Sequence, residues 1–408
     1  MNHLKVKADN KFDFLIVFLI SLLVFGDVGG ALQPVRFFAI FIFPLFLLRF
    51  ASINICARDK NILFFFYFWL FFSVLSLFWS INQAEGLRQI IYYLIHFILF
   101  FQLVVFSNKA NNAKEAVISG WLYVLFLTLP IAIWEIVTNN HLSIALDSSL
   151  FPYRHASVTF GNPNAYIVVV LFALPFLLSE MLRQNGVYFS VVLWVLLLAS
   201  GLVLVVNSSR GGILALFIYL FIFALFGVSK SKVTGKNIFK FFSFVFFFGF
   251  LTCFLVLGSD DFFARFFDRL SLGVSSFFSD PARLGIYISS IEILFETSFF
   301  GFGIGSEVDA LKHRGVAAHN SHNLFLEIII QFGVFVFAGF LIFLVKIFVP
   351  VFHLRDKRSK FVLMASFFAF LPVTVINSSY LLMPSFWLFL SSLLIVSSVR
   401  EDSKMNHA

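Results

Sequence analysis

The sequence of 408 residues is too apolar for a soluble protein, since hydrophobic residues make up 60%, charged residues 12%, and the mean hydropathy is +0.97. An ordinary globular chain has roughly 25% charged residues. The net charge of +8 is explained by Lys- and Arg-rich cytoplasmic loops, so no nucleic-acid partner is expected. The simplest organisation is a single polytopic membrane domain over residues 1–408.

Apolar runs long enough to cross a membrane recur along the chain. A bilayer core of about 30 Å takes roughly 20 apolar residues as a helix. The sequence therefore predicts an all-α integral membrane protein with about twelve transmembrane helices, at 12–32, 35–50, 62–79, 87–106, 116–137, 160–180, 188–206, 211–228, 239–257, 323–349, 361–378 and 381–399. Only a turn at Asp27, Gly29, Gly30 and Pro34 separates the first two runs, and whether both cross is left open.

The distribution of basic residues predicts the orientation. With the N-terminus in the cytoplasm, most of the 29 Lys and Arg residues fall in segments on the inner side, as the positive-inside rule requires. The clearest inner loops are 227–240 and 351–360. Both termini are therefore predicted to be cytoplasmic.

The long segment 258–322, between the ninth and tenth runs, contains no convincing span and is predicted to be external. Within it, Pro281 suits a first helical position, and apolar residues recur at helical spacing over 281–300. Such an amphipathic helix could lie at the membrane surface. Gly301–Gly305 follows without the strand–turn–helix context of a dinucleotide motif. We expect a turn whose backbone closely approaches a ligand or another helix.

Charged residues beside apolar runs are costly and are therefore candidates for function. Arg210 lies in the short turn 207–212, where a guanidinium has little room for solvation. Its planar fork suits a phosphate, and the alternative is an arginine that anchors a helix end. Arg283, on the amphipathic helix, and Arg88 are further external cations. Arg283 could instead be solvated, and Arg88 could simply pair with Glu85.

Two histidines precede the tenth run. His319 and His322 are three residues apart, and a histidine near its ordinary pKa can take a proton from a hydroxyl group. The alternative is a helix-capping cluster with Asn320 or Ser321 as the N-cap. No third ligand has convincing metal-site spacing, so no metal is predicted. Glu327 could orient His322 or a nearby arginine, or form a buried ion pair that fixes packing.

Two further polar features interrupt apolar runs. His96 lies in the middle of the fourth run, and we expect a packed, hydrogen-bonded side chain there. Asn162-Pro163-Asn164 begins the sixth run, where Pro163 fits the first helical position. The two asparagines could cap the helix or line an external cavity. Together, the arginines and histidine on one face indicate an anionic ligand and a proton transfer, for which a lipid-linked diphosphate is suitable.

Four motifs, in this order, resemble those of the O-antigen ligase/polymerase superfamily of bacterial polysaccharide assembly. They are Phe160–Asn164, Ser209–Gly212, Arg283 followed by Gly301–Gly305, and His322-Asn323 with Leu326, Glu327 and Gly333. The resemblance covers about residues 155–345. It implies a GT-C-like membrane glycosyltransferase of the bacterial inner membrane, with 258–322 as a long periplasmic loop.

The resemblance also implies roles for individual residues. Arg210 and Arg283, with Arg88 as a weaker candidate, would bind the diphosphate of an undecaprenyl-diphosphate-linked glycan without a metal or other cofactor. His322 would activate the acceptor hydroxyl for inverting attack on the anomeric carbon. The supporting residues would be Glu327, Asn323 and His319.

Two activities occur in the superfamily, and the sequence favours one of them. A polymerase joins lipid-linked repeat units, whereas a ligase moves the glycan onto lipid A-core. Ligases often have a second glycine three residues after the one at Gly333, but here Val336 occupies that position. A polymerase is therefore predicted, with a ligase as the alternative and a lipid-linked glycan flippase or other transporter as the second alternative. The implied partners are the lipid-linked donor, a glycan or lipid A-core acceptor, membrane lipids, and chain-length regulator and flippase proteins.

Overall fold

The computed structural model describes residues 11–51, 57–144, 154–183, 186–228, 281–316 and 320–398. In this part of the chain the regular secondary structure is entirely helical. The α-helices are α1 (Lys11–Ser21), α2 (Pro34–Phe41), α3 (Phe43–Phe50), α4 (Ala57–Ser76), α5 (Gln83–Ser107), α6 (Ala113–Thr138), α7 (Pro163–Met181), α8 (Val187–Val206), α9 (Arg210–Val228), α10 (Pro281–Glu296), α11 (Glu307–His313), α12 (Leu324–Phe348), α13 (Lys357–Val373) and α14 (Pro384–Ser397).

The chain is a multi-pass membrane protein. Six of the described helices, α5 to α9 and α12, are long and apolar enough to cross a membrane. The segment Lys60–Ser76 of α4 and helix α14 are shorter apolar helices. The ninth predicted span, 239–257, lies outside the described residues, and the count of twelve spans stays a prediction.

The first two predicted spans differ from the structure. The α-helix of the first run ends at Ser21, and a 3-10 turn Leu22–Phe25 leads into the turn that precedes α2. The second run, predicted as one span over 35–50, is divided into α2 and α3 at Ile42. Pro44 explains this break, because a proline has no N–H to donate and its ring crowds the preceding helical turn.

The link between the last two predicted spans is longer than expected. Helix α13 ends at Val373 rather than 378, and α14 begins at Pro384 rather than 381. Residues 374–383 form a non-α-helical link, which we call the 374–383 connection. The Tyr380 hydroxyl donates a hydrogen bond to the Val373 carbonyl and accepts one from the Asn377 N–H at 3.1 Å. These contacts fix the shape of the connection.

The long helices alternate in direction, which defines two ends of the bundle. We call the end at which α5, α7 and α12 begin the upper end, and the end at which α6, α8 and α13 begin the lower end. The predicted orientation places the lower end in the cytoplasm. At the lower end, Arg358 of α13 binds Glu115 at the start of α6 (2.7 Å) and Glu180 of α7, and Lys114 binds Asp356 at 2.9 Å.

The glycine-rich segment Gly301–Gly305 packs closely against the backbone of α12. The N–H groups of Phe302 and Gly303 donate to the carbonyls of Ile330 and Gln331 at 2.8 and 3.0 Å. Helix α12 is kinked at Gly333, whose φ is 68°. A Cβ at this position would lie 1.9 Å from the Phe299 carbonyl oxygen. The predicted approach to another helix is therefore confirmed, as is the helix that begins at Pro281.

Candidate functional site

A cavity of about 320 Å³ opens at the upper end of the bundle. This volume lies at the lower limit of typical ligand pockets, roughly 300–1,000 Å³. Its walls come from the turn after α1, the first turns of α2, α7 and α14, the second and third turns of α5, and the 374–383 connection. The polar side chains that line it are Asp27, Gln33, Arg36, Arg88, Tyr92, Asn162, Asn377, Ser378, Ser379 and Ser385.

Arg36, in the first turn of α2, is the most enclosed cation of the cavity, with 5% of its surface exposed. Its Nε donates to Nε2 of His96 at 3.2 Å, and its Nη2 donates to the Leu382 carbonyl at 2.8 Å. Nη1 lies 3.5 Å from the Gly30 carbonyl oxygen. All three partners are neutral. They engage three of the five N–H donors of the guanidinium, which leaves two donors for a ligand of the cavity.

His96 orients Arg36 from below. It is fully buried in α5, and its Nδ1 lies 3.2 Å from the Leu381 carbonyl oxygen. Because Nε2 accepts from Arg36, the ring is the neutral tautomer that donates from Nδ1 to Leu381. The prediction of a packed, hydrogen-bonded histidine is confirmed. The 374–383 connection therefore holds both the histidine and the arginine.

Tyr92 lies against two guanidinium groups. The Cζ of Arg36 is 4.3 Å from its ring centroid, and the Cζ of Arg88 is 6.0 Å away. The Arg88 side chain is 60% exposed and binds Glu85 at 2.8 Å. The predicted pairing with Glu85 is therefore confirmed, although Arg88 also lines the cavity. Arg88 is a peripheral cation, and Arg36 is an enclosed one.

Asp27 is the acidic group of the cavity. Its Oδ1 accepts from Nε2 of Gln33 at 2.7 Å, and its backbone N–H donates to the Thr159 carbonyl at 2.8 Å. The side chain is exposed to solvent in the cavity, but the neighbouring protein partly encloses its carboxylate. This enclosure raises the pKa of Asp27 to about 6, against the opposing effects of Arg36 and the Gln33 hydrogen bond. Close to neutral pH, Asp27 can therefore exist in both protonation states.

Asn162 combines the two roles that the sequence left open. Its side chain accepts from the Asn164 N–H at 2.8 Å and so caps α7, with Pro163 in the first turn. The same residue lines the cavity. The first motif of the resemblance therefore lies in the cavity wall.

The other predicted phosphate ligands lie outside the cavity lining. Arg210 is exposed at the first position of α9. The next residue, Gly211, packs against the end of α13, where an added Cβ would lie 2.9 Å from the Pro372 carbonyl oxygen. Arg283 lies on α10, and its side chain is outside the described residues. Among the described contacts, none links Arg210 or Arg283 to Arg36.

His322 and its neighbours lie across the 374–383 connection from Arg36. His322 is exposed and has a φ of 49°. The expected N-cap at Asn320 or Ser321 was wrong, because Asn323 caps α12 by accepting from the N–H groups of Phe325 and Leu326 at 2.9 and 3.4 Å. The Leu324 N–H donates to the Thr374 carbonyl at 3.0 Å, which ties this segment to the connection. The other candidate histidine, His319, lies outside the described residues.

Two buried glutamates support this segment. Glu327, 2% exposed, lies beside the backbone N–H groups of Tyr380 and Leu381. It forms no ion pair with any residue that the structure describes, so the alternative of a buried ion pair is not supported there. Glu307 accepts from the Ser321 N–H at 2.8 Å. Burial raises the pKa of Glu307, while the hydrogen bonds from Ser321 lower it.

Sequence reasoning missed Arg36, Asp27 and Tyr92 as site residues. The missed signal was Arg36 itself, a charged residue two positions after Pro34 at the start of an apolar run. The rule that drew attention to Arg210, that charge is costly beside a membrane span, applies equally to Arg36. Asp27 was interpreted only as part of a turn.

Comparisons with known proteins agree with the motifs. Residues 193–341 match the family model described as "Wzy_C: O-Antigen ligase". The chain is 22% identical over 336 residues to "Teichuronic acid biosynthesis protein TuaE" of Bacillus subtilis (strain 168). This match covers 75% of the chain and 66% of the relative, just under two thirds of the relative's length.

Proposed function

Starting from the resemblance to the O-antigen ligase/polymerase superfamily, which both comparisons confirm, we propose that this membrane protein is a glycosyltransferase of polysaccharide assembly. Its donor is a glycan linked through a diphosphate to undecaprenol. The observation that supports this most strongly is Arg36, an enclosed arginine in a cavity at one end of a membrane bundle. A buried guanidinium with neutral partners suits an anionic ligand.

The donor diphosphate binds at Arg36. A buried guanidinium stabilises the negative charge that develops on the departing diphosphate. His96 and Leu382 hold the guanidinium plane in place, so little reorganisation is needed during the reaction. Arg88 contributes a weaker, solvent-screened attraction at the cavity edge.

The remaining chemistry belongs to the residues carried over from the superfamily. His322 takes the proton of the acceptor hydroxyl, and Arg210 and Arg283 add positive charge for the phosphates. The 374–383 connection contacts both groups of residues, since Leu382 holds Arg36 and Thr374 holds Leu324.

The reaction is the polymerisation of lipid-linked repeat units on the periplasmic face of the inner membrane. Val336, where ligases often have glycine, supports this choice. A ligase is the second candidate, because the matching family model carries the description of an O-antigen ligase. The predicted cytoplasmic position of both termini is part of the same proposal.

A strain deleted for this gene tests the proposal through a gel of its surface polysaccharide. A polymerase predicts glycan of a single repeat unit, whereas a ligase predicts full-length glycan retained on undecaprenyl diphosphate. An unchanged glycan ladder would contradict both activities. Complementation with the wild-type gene should restore the ladder and serves as the control.

A further inference from the structure

We propose that Asp27 is a sugar-binding residue of the cavity, whose ionised carboxylate accepts hydrogen bonds from hydroxyl groups of the glycan next to the Arg36 phosphate site. This inference rests on the proposed function and names the part of the substrate that the cavity takes besides the diphosphate. It assigns Asp27 a binding role and leaves the proton transfer with His322.

The first argument is the way in which Asp27 is held. Gly26, with a φ of 47°, lets the turn approach Thr159 so closely that an added Cβ would lie 2.4 Å from the Thr159 carbonyl oxygen. The Asp27 N–H then donates to that carbonyl, and Gln33 binds Oδ1. These contacts hold the turn against Thr159, the residue immediately before the Phe160–Asn164 motif. A carboxylate fixed in this way is preorganised for a ligand.

The second argument is the accessibility of Oδ2. A Cβ at Gly161 would lie 3.5 Å from this oxygen, so the glycine of the motif leaves the space beside Oδ2 open. No basic side chain in the described part of the chain lies within ion-pair distance of the Asp27 carboxylate. Oδ2 can therefore accept a hydrogen bond from a ligand.

The third argument is the set of charged and polar side chains that line the cavity. Arg36 and Arg88 make a cationic ligand unfavourable, which leaves a neutral hydrogen-bond donor as the partner of Asp27. Sugar hydroxyl groups are such donors, and hydrogen bonds to an ionised acceptor are roughly twice as strong as neutral ones. Asn162, Asn377 and Ser378 add amide and hydroxyl groups that suit the remaining sugar hydroxyls.

The charged and titratable groups around Asp27 determine its pH dependence. They are Arg36 of α2, Arg88 and Tyr92 of α5, Glu85 as the partner of Arg88, and His96 behind Arg36. The pKa of Asp27 is raised to about 6, so the carboxylate is ionised above pH 6 and protonated below it. Glycan binding should therefore weaken about tenfold between pH 7.5 and pH 5.

The test measures equilibrium binding of a carrier-free oligosaccharide to the full-length protein in nanodiscs. The probe is the repeat unit obtained by depolymerising the strain's own surface polysaccharide. Asp27→Asn should weaken binding at pH 7.5 by about tenfold and remove the pH dependence, and Asp27→Glu should restore part of both. Asp13→Asn, the same substitution at the lower end of α1, should bind as the wild type does.

Glycan formation from lipid-linked repeat units is measured on the same samples, which separates this inference from the proposed function. If the wild type forms product but Asp27→Asn binds the oligosaccharide with wild-type affinity and pH dependence, the role of Asp27 is overturned and the function stands. If Asp27→Asn loses binding but the wild type forms no product, Asp27 binds sugar and the proposed reaction is wrong. Absence of oligosaccharide binding by the wild type would also overturn the role of Asp27.

Discussion

The two ends of the bundle differ in the partners that they provide for an arginine side chain. At the lower end, Arg358 is held by the carboxylates of Glu115 and Glu180. At the upper end, Arg36 is more deeply buried but is held by a neutral histidine and by carbonyl groups. A carboxylate partner satisfies a guanidinium within the protein, whereas neutral partners leave its positive charge available to a ligand.

Asp356 at the lower end and Asp27 at the upper end differ in a similar way, in the direction of their pKa shifts. At the lower end, burial raises the pKa of Asp356, but hydrogen bonds from Ser359 and Lys114 outweigh it and bring the value to about 2. At the upper end, enclosure raises the pKa of Asp27 to about 6. The lower-end aspartate stabilises the fold through its charge, while the charge on Asp27 costs stability. This difference indicates structural pairing at the lower end and ligand binding at the upper end.

The largest effect is expected from Gly333→Ala. The new methyl group would meet the Phe299 carbonyl oxygen at 1.9 Å, and the residue has a φ of 68°. The loss of stability should exceed about 3 kcal/mol, and little folded protein should remain. Size-exclusion chromatography of detergent extracts measures this. Gly227→Ala on α9, where a Cβ meets nothing within 4 Å, is the matched control and should fold normally.

Arg36→Lys should reduce the rate of glycan formation by about 100-fold while the protein stays folded. Lysine keeps the charge but loses the planar fork that His96 and Leu382 orient. The rate is measured with lipid-linked repeat units in nanodiscs. Arg183→Lys, the same substitution at an exposed lower-end ion pair, should retain the wild-type rate. Equal rates for the two variants would remove the distinction between the two ends.

Arg358→Met should lower stability without lowering the rate per folded molecule. Its loss removes one of the cations that bind the buried Glu180, which keeps a longer contact with Arg183 at 3.7 Å. The expected cost is about 1–3 kcal/mol. Thermal unfolding in detergent and the glycan-forming rate are measured on the same preparation. A fall in rate at unchanged unfolding temperature would place the lower end in the active machinery, contrary to the comparison.

Lowering the pH from 7.5 to 5 should weaken glycan formation without unfolding the protein. Asp27 becomes protonated over this range, whereas Asp356, with a pKa of about 2, stays ionised and its stabilising contribution remains. The rate and the unfolding temperature are followed together for the wild type and Asp27→Asn. Protonation of the proposed base His322 lowers the rate of both proteins, so the additional loss in the wild type reports on Asp27. Parallel loss of rate and unfolding temperature would show that acid acts on the fold rather than on the cavity.

The smallest effect is expected from Arg88→Ala, a reduction in rate of about threefold to tenfold. Arg88 is largely exposed and already paired with Glu85, so salt screens its effect on a ligand. The residual contribution should disappear at high ionic strength, which a salt titration of both proteins measures. A loss as large as that of Arg36→Lys would contradict the ranking of the two arginines.

The long apolar helices were predictable from sequence, because hydropathy alone specifies α5 to α9 and α12. The close approach of Gly301–Gly305 to a helix was also predictable, since only glycine permits such contacts. The break between α2 and α3 was not recognised, although Pro44 supplies its cause. The 35–50 run was therefore wrongly predicted as one helix.

The cavity was only partly predictable. Asn162 was identified as a possible wall residue, but the partners of Arg36 lie 60 and 346 residues away in the chain. Only the folded 374–383 connection brings Leu382 next to α2 and α5. Local sequence patterns report on single helices and therefore could not reveal contacts made across the bundle.

The most direct test of the central claim is the equilibrium binding of undecaprenyl diphosphate to the protein in nanodiscs. The proposal predicts that the wild type and Arg183→Lys bind with the same affinity, and that Arg36→Lys binds at least tenfold more weakly. Equal affinity of all three proteins would contradict the assignment of the upper-end cavity as the diphosphate site.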